Sequence, residues 1–278
     1  MQLYGYVFNN HKQKSTMNEW INLDLARQVV EIAREASVEI MKIYHSQELD
    51  TQLKSDESPV TAADLAANTV INKGLNNLAK RLPIVSEENV EIPYAERRQF
   101  DYYWLVDPLD GTKEFIKRNG DFTINIALIH DKKPVLGVVF VPNTEGSYFA
   151  VKGLGSYKLV NNEAVKIHCS TFKLTDKNLR IPISRSHLNV ETQNLLAQLN
   201  DPILTPKGSA LKLVLLAEGV FDYYPRIGLT SEWDTAAPHI ILEEAGGKML
   251  QFDKNEPLTY NKENLLNPHF IAQGLIKS

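Results

Sequence analysis

The sequence predicts an α+β half followed by an α/β half, and three observations carry that reading. Residues 18–78 hold two amphipathic helical patterns. Residues 82–160 then read as closely spaced strands joined by short turns, the signature of a largely antiparallel sheet. Beyond a polar stretch at 170–178, strands and helices alternate to the end, the pattern of an α/β layer. The predicted organisation is a mobile tail at 1–17, an N-terminal half at 18–172 and a C-terminal half at 173–278.

Taken in order, the first helix is predicted from Asn18 to Tyr44, because Ile21, Leu25, Val29, Ile32, Ala36, Ile40 and Ile43 recur at helical spacing. Residues 47–59 are polar, end in proline, and read as a loop or hairpin. Thr61-Ala-Ala-Asp64 fits a capping box that opens a second helix with apolar Ala67, Val70, Ile71, Leu75 and Leu78. Strands follow at 82–85, through Trp104 to Val106, and at 122–129 and 134–141, with shorter ones near 147–151 and 156–160. In the second half strands are predicted at 179–184, 202–204, 220–224, 248–252 and 270–272. Helices there are predicted at 190–199, 209–218 and 235–245.

Composition excludes several classes. Of 278 residues 43% are hydrophobic and 23% charged, which supports a sizeable core and rules out wholesale disorder. A net charge of -4 gives no bulk attraction to nucleic acid or to a membrane. The single cysteine, Cys169, excludes an internal disulfide and a cysteine-based zinc site. No apolar run approaches the ~20 residues that span a bilayer. The first residues lack a basic segment followed by an apolar one, so a signal peptide is not expected, and Met17 is an alternative start. There is no P-loop, no dinucleotide fingerprint, no His-Glu-x-x-His and no nucleophile elbow.

The chemistry concentrates at Tyr103-Trp-Leu-Val-Asp107-Pro-Leu-Asp110-Gly-Thr112. A buried strand ends there in two carboxylates. Pro108 lacks an N–H and is expected to stop the strand, and Gly111 permits a turn that a side chain resists. Two acids and a hydroxyl suit a hard cation such as Mg²⁺, although Asp, Pro and Gly are also ordinary turn residues. Each partner has a local alternative as well. Asp64 reads first as a helix cap, and Ser86-Glu87-Glu88 as either a solvated face or ligands at a strand's carboxyl end. Asp234, in Trp233-Asp-Thr-Ala-Ala, reads as an N-cap or a metal ligand in the same place. Lys117 and Arg118 are either surface charges or phosphate contacts. Haloacid-dehalogenase phosphatases place their two acids one residue closer, which sets them aside.

Together, Ser86-Glu87-Glu88, Asp107-Pro-Leu-Asp110-Gly-Thr112 and Trp233-Asp234-Thr-Ala-Ala resemble the inositol monophosphatase superfamily of Mg²⁺-dependent, lithium-sensitive phosphatases. The resemblance covers nearly the whole chain after Met17. Gly111-Thr-Lys-Glu-Phe115, Ser184-Arg-Ser-His187, Gly208-Ser-Ala-Leu-Lys212 and Tyr224-Pro-Arg226 look like its bacterial 3'(2'),5'-bisphosphate nucleotidase branch, which serves nucleotide metabolism and sulfur assimilation. One departure is Pro238, where the family usually has glycine.

The resemblance implies a layered αβαβα sandwich of the inositol monophosphatase / fructose-1,6-bisphosphatase type, with two or three Mg²⁺ where the halves meet. Glu87, Asp107 and the Leu109 carbonyl are implied ligands of one ion, and Asp107, Asp110 and Asp234 of a second. Asp64 and Thr112 are implied to orient and deprotonate an attacking water. Gly111 and Thr112 would hold the phosphate, and Ser209, Lys212, His187 and Arg226 the nucleotide. The implied reaction is removal of the 3' phosphate from adenosine 3',5'-bisphosphate by in-line water attack. The alternatives are an inositol or sugar monophosphatase and a non-catalytic nucleotide or metal sensor. The implied partners are a small bisphosphate nucleotide and neither nucleic acid nor an integral membrane segment. A monomer or homodimer is expected, in the cytoplasm or peripheral at the inner membrane.

Overall fold

The computed structural model describes residues 19–46, 51–53, 59–185 and 189–277. The predicted tail at 1–17 and most of the polar segment before Pro59 lie outside the described residues.

The first layer is helical. Helix α1 spans Leu23–Tyr44, five residues shorter at its start than predicted, because the Asn22 carboxamide accepts from the Leu25 amide at 2.9 Å and caps the first turn. Strands β1 (Thr51–Leu53) and β2 (Pro59–Thr61) pair antiparallel, so the hairpin expectation holds. Helix α2 (Ala62–Asn76) starts at the predicted capping box, with Thr61 and Asp64 bonded reciprocally.

The second layer is a seven-stranded sheet. Its members are β3 (Ile84–Ser86), β4 (Tyr102–Asp110), β5 (Thr123–His130), β6 (Lys133–Val141), β7 (Gly146–Val151), β8 (Gly155–Val160) and β9 (Glu163–Lys166), in that spatial order. Short helices α3 (Tyr94–Arg97) and α4 (Thr112–Ile116) flank β4. Only β3 and β4 run parallel; every other neighbouring pair in this sheet is antiparallel.

The rest of the chain supplies β10 (Thr171–Phe172), β11 (Arg180–Ser184), α5 (Val190–Leu196), β12 (Ile203–Lys207), α6 (Leu211–Ala217), β13 (Tyr223–Arg226), α7 (Glu232–Glu244), β14 (Lys248–Gln251), β15 (Phe270–Gln273) and β16 (Leu275–Ile276). Strands β11 and β12 are parallel around α5, while β13, β15 and β14 form an antiparallel set, so this half is mixed rather than purely parallel. The very short β10 and β16, together with β9, were not visible as apolar runs; β10 and β16 pair with each other across the second half.

Strand β4 is covered on both sides, which explains its unbroken apolar run. Tyr102, Trp104 and Val106 pack with α1 and α2, while Tyr103 and Leu105 pack with α6 and α7. Helix α7 lies directly on β6, where a Cβ at Gly137 would meet the Ala237 carbonyl at 2.5 Å. Helix α5 covers the far side through Leu195 and Leu196 against Leu179 and Ile181. The order of helices, large sheet, helices, small sheets and helix is the layered αβαβα sandwich.

Two expectations need correction. Strand β4 does not stop at Pro108. Pairing with β5 continues from Asp107↔Asn125 to Asp110↔Thr123 across a register shift, and the missing proline N–H falls in that bulge. Asp234 is not an N-cap. Ser231 caps α7, and Asp234 is the third helical residue, the acid of a second capping box. The helix therefore begins before Asp234 and contains Pro238, which has no N–H to return to the Asp234 carbonyl.

Candidate active site

The bulge at Asp107–Asp110 opens onto a cavity of about 310 Å³ between the large sheet and the second half. Its lining includes Glu87, Asp107, Leu109, Asp110, Gly111, Thr112, Ser209, Lys212, Arg226 and Asp234, residues drawn from both halves of the sequence. His187 lies outside the described residues. Lys117 and Arg118 do not line the cavity; the Arg118 guanidinium instead donates to the Tyr44 and Ser46 carbonyls at the end of α1.

The acids converge because three elements end together. Parallel pairing sets Ser86 beside Val106, so Glu87 follows β3 next to Asp107, and the Glu87 amide donates to the Val106 carbonyl at 3.1 Å. Asp107 Oδ1 accepts from the Leu109 amide at 3.0 Å, which shapes the bulge. Helix α7 brings in Asp234, whose Oδ2 accepts from the Ser231 amide at 2.8 Å. Asp107, Asp110 and Asp234 each offer a carboxylate oxygen within 4.8 Å of the others.

This crowding has an electrostatic consequence. Burial pushes the Asp107 carboxyl well above its usual range, and Glu87, Asp110, Asp234 and Asp64 push it further. Burial, then Asp110 and Glu87, does the same to Asp234. Asp110 is raised by burial too, with Lys212, the Ala210 amide and Asn125 opposing. Three donors meet Asp110 Oδ2: the Ala210 amide at 2.6 Å, Asn125 Nδ2 at 3.3 Å and the Thr123 hydroxyl at 3.5 Å.

Asp64 approaches from α2. Its Oδ2 accepts from the Thr61 hydroxyl at 2.6 Å and the Thr61 amide at 2.8 Å, while Oδ1 accepts from the Thr112 hydroxyl at 3.1 Å. Burial raises its carboxyl, and the Thr61 bonds pull it back.

Another part of the wall is basic. Lys212 is buried on α6, and its Nζ donates to the Ser209 carbonyl at 2.8 Å. Burial pushes its ammonium down to about 8, with Asp110 opposing. Arg226 lies at the end of β13 and donates to the Leu229 carbonyl at 3.0 Å. Ser209 sits in the left-handed region at φ 46°. Asp121, which the sequence patterns did not single out, holds this wall. It accepts from Arg185 Nη2 at 2.9 Å, Lys207 Nζ at 3.2 Å and the Gly208 amide at 3.1 Å. A Cβ at Gly208 would meet the Asp121 carbonyl at 2.6 Å. Asn125 was missed as well. Both follow the Asn119-Gly120 turn, and their partners lie too far along the chain for any local pattern.

A five-layer αβαβα fold with an acidic cluster at a bulged strand end is that of a phosphatase class, and the chain belongs to the inositol monophosphatase family, whose model matches residues 22–278. Among curated relatives, the 3'(2'),5'-bisphosphate nucleotidase CysQ of Shigella flexneri is 45% identical over 249 residues, covering 87% of this chain and 97% of its own. CysQ of Escherichia coli K12 matches to the same extent, 45% over 249 residues. Among solved structures, CysQ from Bacteroides thetaiotaomicron, at 40% identity, superposes with a TM-score of 0.80 over 91% of this chain and 99% of that one. No helix among the described residues is long and apolar enough to cross a membrane.

Proposed function

We propose that this chain is a Mg²⁺-dependent 3'(2'),5'-bisphosphate nucleotidase that converts adenosine 3',5'-bisphosphate and water to AMP and phosphate. The observation that carries the reading is one cavity lined both by the acids and by Ser209, Lys212 and Arg226. The 45% identity to CysQ enzymes supports the substrate class.

The residues fit divalent cations. Every donor at the cluster is a hard oxygen, and mutual repulsion among buried Asp107 and half-buried Asp110 and Asp234 is relieved by positive charge. Glu87, Asp107 and the Leu109 carbonyl would hold one Mg²⁺, and Asp107, Asp110 and Asp234 a second. Bound there, the cations neutralise phosphoryl oxygens and acidify water.

The chain's own groups do the rest. Thr112 Oγ1 is tied to Asp64, so the hydroxyl can accept a proton from the attacking water while passing its own to Asp64 Oδ1. The raised Asp64 carboxyl suits that proton. The Thr61 bonds to Oδ2 keep Oδ1 turned to Thr112. Gly111 and Thr112 hold the 3' phosphate at the start of α4. Ser209, Lys212, His187 and Arg226 hold the nucleotide and its 5' phosphate. As the new P–O bond forms, the bond to O3' breaks, the leaving oxygen takes up a proton from solvent water, and Asp64 returns its proton to solvent. Residues 18–172 thus supply most ligands, and residues 173–278 supply Asp234 and the nucleotide contacts. We place the protein in the cytoplasm, acting on a free nucleotide.

The test is phosphate release with Mg²⁺ from adenosine 3',5'-bisphosphate, inositol monophosphate and fructose bisphosphate in parallel. The bisphosphate nucleotide is expected to rank first. Preference for inositol monophosphate would move the assignment to the inositol branch, and nucleotide binding without turnover to a sensor.

A further inference from the structure

The turn that carries Glu87 is held to helix α2 by a buried amide network. Asn68 lies one helical turn after Asp64, and Asn72 and Asn76 follow at the same four-residue spacing, so one stripe of α2 is polar from Asp64 onward. Asn68 and Ser86 are 8% and 7% exposed. The Ser86 hydroxyl donates to Asn68 Oδ1 at 2.8 Å, and Asn68 Nδ2 donates to Asn89 Oδ1 at 2.9 Å. Asn72 Nδ2 donates to Asn68 Oδ1 at 2.8 Å and to Asn89 Oδ1 at 3.2 Å, and Asn89 Nδ2 donates to Asn72 Oδ1 at 3.2 Å. The turn is therefore held at the residue before Glu87 and again two residues after it. On its other side the Glu87 amide is bonded to Val106, next to Asp107.

An apolar stripe would dock the helix on this turn without any need for directional bonds. Buried amides cost stability unless satisfied, and once satisfied they admit one geometry. A network of this kind fixes where the turn sits, which matters only if something on the turn must be placed accurately.

We propose that Asn68, with Ser86 and Asn89, is a positioning network for the divalent-cation site. It sets the Glu87 carboxylate relative to Asp107 and ties that placement to Asp64 at the start of the same helix. None of the three is offered as a ligand. The inference rests on the divalent-cation reading of the acidic cluster.

The test is calorimetric titration of the full chain with Mg²⁺, alongside melting of the metal-free protein. Ser86→Ala and Asn68→Ala are each expected to weaken Mg²⁺ binding about tenfold or more, the usual effect of losing a group that orients a ligand. Ser86→Thr keeps the hydroxyl and is expected to restore binding to within about threefold of the parent, since the bond to Asn68 survives. The double variant is expected to bind within about threefold of the weaker single variant, because both changes remove one shared contact. If Asn68→Ala does not fold, the Ser86→Ala and Ser86→Thr pair decides alone. A lowered melting temperature with unchanged Mg²⁺ isotherms would mean that the network only docks the helix, and would overturn the proposal. An absent isotherm in the parent protein would overturn the cation reading itself, and the positioning role with it.

Discussion

The Thr112 hydroxyl donates to Asp64 Oδ1 at 3.1 Å across 48 positions of sequence, while Thr61 holds Asp64 Oδ2 from three positions away. One carboxylate thus closes the capping box of α2 with one oxygen and meets the bulged turn of β4 with the other. The helix-capping role makes the second oxygen's direction reproducible, because the cap fixes the side chain before any ligand arrives.

Asp64→Asn and Thr112→Val should each lower kcat by about 10²–10³, the range lost when proton transfer fails. KM should stay within about threefold of the parent for Asp64→Asn, which removes no group assigned to the nucleotide, and should rise for Thr112→Val, which also removes a contact to the 3' phosphate. Asn at position 64 still offers an oxygen to Thr61, so α2 should remain capped at a cost below about 1 kcal/mol. Steady-state kinetics with circular dichroism check this. Turnover near that of the parent in either variant would remove the pair from the mechanism.

The local half of this site was legible and the long-range half was not. Thr61-x-x-Asp64 announced its capping box, and Asp107-Pro-Leu-Asp110 announced a carboxylate turn. The equivalent Ser231-x-x-Asp234 box starts α7 at Glu232, ahead of the start that Asp234 as the cap implies. Pro108 reads as a strand end because its missing N–H is visible in the sequence and the partner strand is not. Pairing resumes at Asp110↔Thr123, so the bulge absorbs the loss. Asp121 is indistinguishable from a surface turn residue until Arg185 and Lys207 arrive from the other half. Asn68 reads as a weak helix former until Ser86 reaches it.

Asp107→Asn should abolish Mg²⁺-dependent turnover and yet stabilise the metal-free protein. Asp107 is 1% exposed, and burial and four neighbouring acids all disfavour its charge. Replacing it with a neutral group of the same shape removes that repulsion. In chelator-containing buffer the melting temperature should rise, by about 2–4 °C for each kcal/mol recovered in a chain of this size. Added Mg²⁺ should then raise it less than in the parent. Differential scanning fluorimetry with and without Mg²⁺ checks both. A metal-free melting temperature below that of the parent would contradict the repulsion argument.

Acid should loosen the second half through Asp222. Burial pushes this carboxyl up, but bonds from the Arg180 side chain, the Arg180 amide at 2.7 Å and Ser170 outweigh it and hold it below the ordinary value. A lowered carboxylate pKa gives stability that is complete above the unfolded value near ~3.9 and is lost as pH falls through the folded value. Because Arg180 is half-exposed, the contribution is discounted to about 1–2 kcal/mol. Asp222→Asn should therefore lower the melting temperature at pH 7 and flatten its fall between about pH 4 and pH 2. An equally steep acid limb in the variant would assign the acid sensitivity elsewhere.

Lys212 gives the cavity its own alkaline limit. The residue is 7% exposed, and burial brings its ammonium down to about 8. Arg226 pushes in the same direction, and Asp110, Asp121 and Glu114 oppose it. A cation with a lowered pKa is charged below that value and neutral above it. On the proposed assignment the 5' phosphate meets two cations, Lys212 and Arg226, below pH 8 and Arg226 alone above it. KM for adenosine 3',5'-bisphosphate should therefore climb as pH rises past about 8, approaching a tenfold rise per unit where the charged form is required. Lys212→Gln should show the raised KM at every pH, with no further climb across this range. Adenosine 3'-monophosphate, which lacks the 5' phosphate, should show a nearly flat KM in the parent. The same climb with that substrate would mean that the titrating group serves the reacting phosphate, and would take Lys212 out of the 5' phosphate contact.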